Sequence, residues 1–174
     1  SQYFKENQLI VSIDDDIKEI KKLFITSHGK SRLDKVECLK SFIEIIVKDL
    51  ISNKCNLAGL YPVDNPFFMK QVLTDNLKFI IGNFKVFFNK KNLEYRKFTL
   101  LEDYETTMKY YFNDGKVLRY NNYCAITNYK ILKWDLTNED KIKEVNLFYH
   151  KYNEYCTIKN KKDTIDIQLR DKKR

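Results

Sequence analysis

The apolar positions of this chain change period several times, and each change marks an element. Leu9 to Ile13 (LIVSI) is a short apolar run that reads as a buried strand. Asp14, Asp15 and Asp16 follow it at once, before the chain turns apolar again at Ile17 in the short amphipathic segment IKEIKKLF. SHGK then marks a loop. From Ser31, Leu33, Val36, Leu39, Phe42, Ile43, Ile46, Val47, Leu50 and Ile51 recur at helical spacing, with Ser31 as cap and Asp34 three residues on, which predicts a long helix ending near Asn53.

Leu57 to Lys70 (LAGLYPVDNPFFMK) begins as a strand and is broken by Pro62 and Pro66 into an ordered loop. Leu77 to Asn89 is aromatic and β-branched and predicts a strand, with Gly82 a bulge or a point of close approach. In LEDYETTMKYYFNDGK, Tyr104, Met108, Tyr111 and Phe112 share a helical face, acids open the helix and Gly115 follows its end. KVLRYNNYCAIT returns to a strand. TNEDKIKEVNLFYHKY is a second such helix, with Thr137 as cap and Ile142, Val145, Phe148, Tyr149 and Tyr152 facing inward. The chain closes on a hairpin, EYCTIK turning at NKKD into TIDIQLR. Alternating strands and helices predict an α/β fold, a mixed sheet flanked by helices, in one domain spanning residues 1–174.

Composition narrows the setting. No apolar run approaches the roughly 20 residues of a bilayer span, so no membrane partner is expected. The start, SQYFKENQ, has no initiator Met and no signal-peptide order, and looks cut. Cys38, Cys55, Cys124 and Cys156 show no CxxC or Cys/His spacing, which argues against zinc and for reduced thiols in a cytoplasmic setting. A net charge of +8 favours an anionic partner, although the Lys, Asn, Ile, Tyr and Phe bias also fits an AT-rich coding sequence.

The candidate chemistry sits at the strand end. Crowded carboxylates resist ionisation unless positive charge is supplied, and a divalent cation supplies it. Asp14 and Asp16, two apart, project to one side of extended backbone, while Asp15 points away and can meet a ribose hydroxyl or a loop amide. Two carboxylates with substrate phosphates are a usual shell for Mg²⁺ or Mn²⁺. The alternative is that the three aspartates cap IKEIKKLF as a helix. Glu102 and Asp103 open a helix where a carboxylate can act as general base, or merely complement the helix dipole. Asp64 and Asn65, between the prolines, can cradle a sugar or base beside Phe67, Phe68 and Met69, or sit beside ordinary core aromatics. Arg119, Asn121 and Asn122 follow on a strand, where Arg119 meets a phosphate or a surface ion pair. His28 reads as loop surface and His150 as a helix flank. KNKKD and the terminal RDKKR read as solvated.

Together, LIVSIDDDI, AGLYPVDNPFFMK, LKFIIGNFKVFFN, LEDYETTMKYYFNDGKVLRYNNYCAITNY and DIQLR resemble the TET/JBP-associated glycosyltransferases of phages and large DNA viruses. The resemblance implies a GT-A fold, with Asp14 and Asp16 as a DxD pair holding Mn²⁺ or Mg²⁺ and Asp103, with Glu102 as fallback, as the catalytic base. It implies a nucleotide-sugar donor such as a UDP-sugar, for which Asp15, Asp64, Asn65, Arg119 and Asn121 are the candidate contacts read from the residues themselves. The acceptor would be a hydroxyl, with a hydroxylated base in DNA as a candidate, in the host cytoplasm of a virus. Thirteen residues precede Asp14 here, so the N-terminal nucleotide-binding segment of that fold is expected to be missing and turnover to be weak. KILKWDL lacks the glycines of relatives, which leaves the acceptor loop open. Two other classes compete, a non-catalytic nucleic-acid-binding module carried by charge and aromatics, and a metal-dependent nuclease using Asp14, Asp16 and Glu102.

Overall fold

A computed structural model describes residues 3–93, 97–128, 137–161 and 164–171. The KILKWDL segment, Lys162 and Asp163 of the hairpin turn, and Lys172 to Arg174 lie outside the described residues.

The architecture is a mixed α/β one. The main sheet runs β1 (Leu9–Ile13), β6 (Phe84–Phe88), β4 (Leu57–Tyr61), β7 (Leu118–Thr127), β2 (Ile17–Ile25), β3 (Ser31–Lys35), with the short β5 (Leu73–Thr74) pairing on β7. The β4–β7 pair is parallel and the other described pairs are antiparallel. Helix α1 (Leu39–Ser52) covers one face, where Phe42, Ile46 and Leu50 pack on Ala58, Leu60, Phe84, Val86, Leu118 and Tyr120. Helix α2 (Glu102–Asp114) lies on the other face, where Tyr110 joins Leu57, Ile80 and Val117. Helix α3 (Asn138–Tyr152) and the hairpin β8–β9 (Cys156–Lys161, Thr164–Leu169) form a further layer around Met108, Phe148 and Ile167.

Alternation across the strands fixes which side chain faces which helix. On β6, Phe84 and Val86 face α1 and Phe87 faces α2. On β7, Tyr120 and Tyr123 both meet Phe42, three residues apart instead of two, because the β4–β7 register slips between Leu60 and Tyr61. Helix α3 begins as its sequence predicts. The Thr137 hydroxyl accepts the Asp140 N–H, and the Asp140 carboxylate accepts the Thr137 N–H in return. Gly115, at φ +73°, ends α2 in the left-handed conformation that suits glycine.

Four expectations are corrected. Residues 31–35 are a strand, not the first turns of a helix: Thr26 and Gly29, at φ +74°, close a tight turn, β3 pairs back on β2, and Leu33 packs with Leu23 and Cys124. The helix starts at Leu39, with Cys38 instead of Ser31 at its N-cap. IKEIKKLF is likewise a strand, so the three aspartates cap no helix and occupy the β1–β2 turn instead. Of the strand expected over Leu77 to Asn89, residues 84–88 form one. Residues 77–82 cross the sheet as a strap held by side chains, with the Leu77 N–H on Asp171 Oδ1 (2.9 Å), the Ile80 N–H on Thr107 Oγ1 (3.1 Å) and the Gly82 N–H on Asp103 Oδ2 (2.8 Å). Asp171 of the terminal RDKKR is therefore half-buried and bonded, not solvated.

Candidate functional site

Asp14 follows β1, and its N–H donates to the Asn83 carbonyl (2.9 Å), which extends the β1–β6 ladder by one pair beyond Ile13–Phe84. Ile13 faces α1 beside Phe84 and Ile17, so Asp14 projects to the α2 side, as does Ser12, the cross-strand partner of Lys85. On that side stands the N-terminus of α2. Its Asp103 accepts the Gly82 N–H on Oδ2, while Oδ1 lies 3.6 Å from Lys85 Nζ. Partial desolvation raises the Asp14 carboxyl above the ordinary aspartate value, repulsion from Asp16 and Asp103 raises it further, Lys85 opposes them, and Asp15 adds a smaller repulsion. Asp14 thus lies within electrostatic reach of Asp16 in the same turn and of the Asp103–Lys85 pair contributed by the start of α2 and by β6.

Gly82 sets the fit between strap and helix. A Cβ there would lie 2.3 Å from Asp103 Oδ1 and 2.8 Å from Oδ2, so the carboxylate occupies the space a side chain would need. The close approach expected at Gly82 is present, and its partner is Asp103. Asp103 therefore does more than complement the dipole of its own helix.

Helix α2 has no side-chain cap at Leu101. The loop before it is instead hooked by two carboxylates: Glu105, buried, accepts the Lys97 and Phe98 N–H groups, and Glu144 of α3 accepts those of Thr99, Leu100 and Leu101. Lys109 and Lys151 approach Glu105 Oε1 at 3.4 and 3.7 Å. This buried charge group went unread in the sequence, where Glu105 looks like one more acid at a helix start. Lys85, too, was passed over, although a lone lysine inside FKVFF is itself a signal.

The remaining candidates lie across the strap. Ser12–Lys85, Lys85–Gly59 and Gly59–Arg119 are register pairs, so these residues form one row across the sheet. Ile80 covers Gly59 so closely that a Cβ would meet its Cγ2 at 2.4 Å, which sets an apolar wall between Lys85 and Arg119. The Arg119 guanidinium lies 5.2 Å from the Tyr61 ring centre, donates to Asn121 Oδ1 (2.8 Å), and is pulled below its ordinary value by burial. Asn121 is buried, and its amide donates to Val72 O, Thr74 Oγ1 and Arg119 O. Its hydrogen bonds tie β5 to β7. Asn65 Oδ1 accepts the Phe67 N–H and shapes the loop turn, Asp64 is exposed, and Phe67 and Phe68 project into solvent instead of entering the core. Glu102 is half-buried on the first turn of α2, and His28 and His150 are exposed.

Hollows of about 420 and 330 Å³ flank the β3–α1 connection on the α1 side of the sheet. Neither is lined by Asp14, Asp15, Asp16 or Asp103, although Ile13 and Ile17, which flank the aspartates, border the smaller one. Among the described residues no group of three or more His, Cys, Asp or Glu side chains is arranged to hold a metal ion, and no helix is long and apolar enough to cross a membrane. No family model matches this chain, and neither a curated protein nor a solved structure matches it.

Proposed function

We propose that the chain is the DxD-containing portion of a GT-A-type glycosyltransferase, akin to the TET/JBP-associated enzymes, that moves a hexose from a nucleotide sugar to a hydroxyl acceptor. The observation that carries this reading is that Asp14, at the end of β1, lies on the same side of the sheet as the Asp103–Lys85 pair and within electrostatic reach of Asp16 and Asp103. Among the described residues the side chains of Asp14 and Asp16 make no hydrogen bond or ion pair, and Asp103 is anchored through one oxygen.

Mn²⁺ or Mg²⁺ at Asp14 and Asp16 would offset the charge growing on the departing diphosphate. Asp103 Oδ1, 3.6 Å from Lys85 and so beyond hydrogen-bond range, is the oxygen left to take the acceptor proton. As that proton leaves, the acceptor oxygen bonds to the anomeric carbon and the bond to the diphosphate breaks, its electrons going to the phosphate oxygen. Lys85 stands where it can hold Asp103 in place. Asp15, Arg119, Asp64 and Asn65 belong to this reading as donor-side contacts, Asn121 as the support of Arg119, and a hydroxylated DNA base is the proposed acceptor.

The test is Mn²⁺ binding to this chain with and without a UDP-sugar, followed by calorimetry. Asp14→Asn and Asp16→Asn should each abolish metal-dependent donor binding, whereas Asp103→Asn should keep binding and lose transfer. Donor binding that survives both Asp14→Asn and Asp16→Asn would refute the reading.

A further inference from the structure

The main sheet ends at β3, and no described strand pairs on its outer side. The Thr26 N–H donates to the Lys30 carbonyl and the Val36 N–H to the Ile20 carbonyl, with an unbroken register between them. In an antiparallel ladder, residues that turn their backbone groups to the partner alternate with residues that turn them away. Lys30, Arg32, Asp34 and Val36 therefore bond towards β2, and Ser31, Leu33 and Lys35 point their N–H and C=O groups outward. Such an edge is a template for another strand, and folds commonly guard it with charge. Arg32 and Asp34 supply charge here. They share the sheet face of their cross-strand partners Phe24 and Lys22, while Leu33 turns to the other face and packs with Leu23 and Cys124.

The order of the charges selects the strand this edge accepts. A second β3 laid antiparallel, with the outward groups of both facing, can centre on Arg32, Leu33 or Asp34. Centred on Arg32 or on Asp34, it sets that residue against its own copy, and like charges directly opposite destabilise a ladder. Centred on Leu33, it sets each Arg32 opposite the Asp34 of the copy, and the Leu33 pair and both Ser31–Lys35 pairs exchange backbone hydrogen bonds. Within one chain Arg32 already reaches Asp34, Nε at 3.1 Å and Nη2 at 2.9 Å, and both contacts use Oδ2. Asp34 Oδ1 is left for the facing guanidinium, which closes a ring of two arginines and two carboxylates. We propose that Ser31–Lys35 is a self-association edge, through which two copies of this chain join their main sheets antiparallel about a two-fold axis at Leu33. A guard against foreign strands needs charge; it does not need a charge order that matches its own reverse. The pairing stands or falls independently of the transferase reading.

So short an edge makes a small interface of the weak class, with a dissociation constant on the order of 0.1 mM. Sedimentation velocity on the whole chain, at concentrations up to about 1 mM in low salt, reads it for wild type, Arg32→Asp, Asp34→Arg, an equimolar mixture of those two, and Ser31→Pro. Wild type should pass from monomer to dimer as concentration rises. Either charge reversal alone should weaken the dimer at least about tenfold, because like charges then face at both contacts. The mixture should recover it, since an all-acidic edge meets an all-basic one. Both reversals lose the pair within the chain and mixing does not restore that pair, so recovery cannot come from repair of the fold. Ser31→Pro removes an outward N–H that the β2 ladder does not use, and should weaken the dimer with no change of charge. Wild type that stays monomeric at about 1 mM overturns the inference, as do reversals without effect, a mixture that stays monomeric, or a Ser31→Pro dimer as tight as wild type.

Discussion

Replacing Gly82 by alanine tests the joint between strap and helix without changing a charge. Gly82 is not among the residues with positive φ, so its backbone accepts a side chain and the conflict is steric. The new Cβ would meet Asp103 Oδ1 at 2.3 Å, and the carboxylate must swing away, giving up the Gly82 N–H and loosening its approach to Lys85. A hydrogen bond to a charged group contributes about 1.5–3 kcal/mol, and alanine returns about 0.4–1 kcal/mol by stiffening the unfolded chain. The net loss is about 1–2 kcal/mol, or roughly 2–8 °C in melting temperature for a chain of this size. Circular dichroism on Gly82→Ala, Asp103→Ala and the double variant reads it. With Asp103 truncated the clash is gone, so adding Gly82→Ala to Asp103→Ala should be neutral or stabilising, a reversal of sign. Equal destabilisation by Gly82→Ala in both backgrounds would refute the contact.

Other outcomes follow from the same geometry. Glu144→Ala should lower stability by about 1–3 kcal/mol in urea unfolding, since three backbone N–H groups before α2 lose their acceptor, and Glu144→Gln should recover part of it. Bonds from the Thr137 hydroxyl and then its N–H hold the Asp140 carboxyl below the ordinary aspartate value. Its contribution is thus complete above that ordinary value and is lost as pH falls through the lowered folded one. The melting difference between wild type and Thr137→Ala should accordingly be largest near neutral pH and shrink on acidification. Cys38 is exposed with its thiol lowered by the Ser41 hydroxyl 3.2 Å away, while burial pushes Cys55, Cys124 and Cys156 up to about 11. Limited iodoacetamide at neutral pH should label Cys38 first, as peptide mapping would show.

The elements that could be read from the sequence were those whose signal is local. Gly115, the Thr137–Asp140 box and the alternation in TIDIQLR each state their structure within a few residues. Residues 31–36 misled because Leu33 and Val36 fit a helical stripe as well as a hairpin strand. The pairing that decides between them runs to β2, and the Val36 N–H continues it to the Ile20 carbonyl. Residues 77–82 misled for a related reason, since their partners are the side chains of Asp171, Thr107 and Asp103, at distances no window can span. The grouping of Asp14 and Asp16 was visible as spacing. That Asp103 comes within electrostatic reach of Asp14 depends on where α2 docks, and Asn121, a buried clamp, looked from its strand like a free polar group.

Asp171 gives the tail a reach out of proportion to its length. Its carboxylate holds both the Leu77 N–H and the Tyr111 hydroxyl, and from Leu77 the strap passes to Thr107 and then to Asp103. Trimming the chain at residue 170 would unfasten the far end of that relay and blur the aspartate cluster while the sheet itself stayed intact. Under the transferase reading proposed above, a loss of activity on shortening the tail would be a fault of alignment and not of folding.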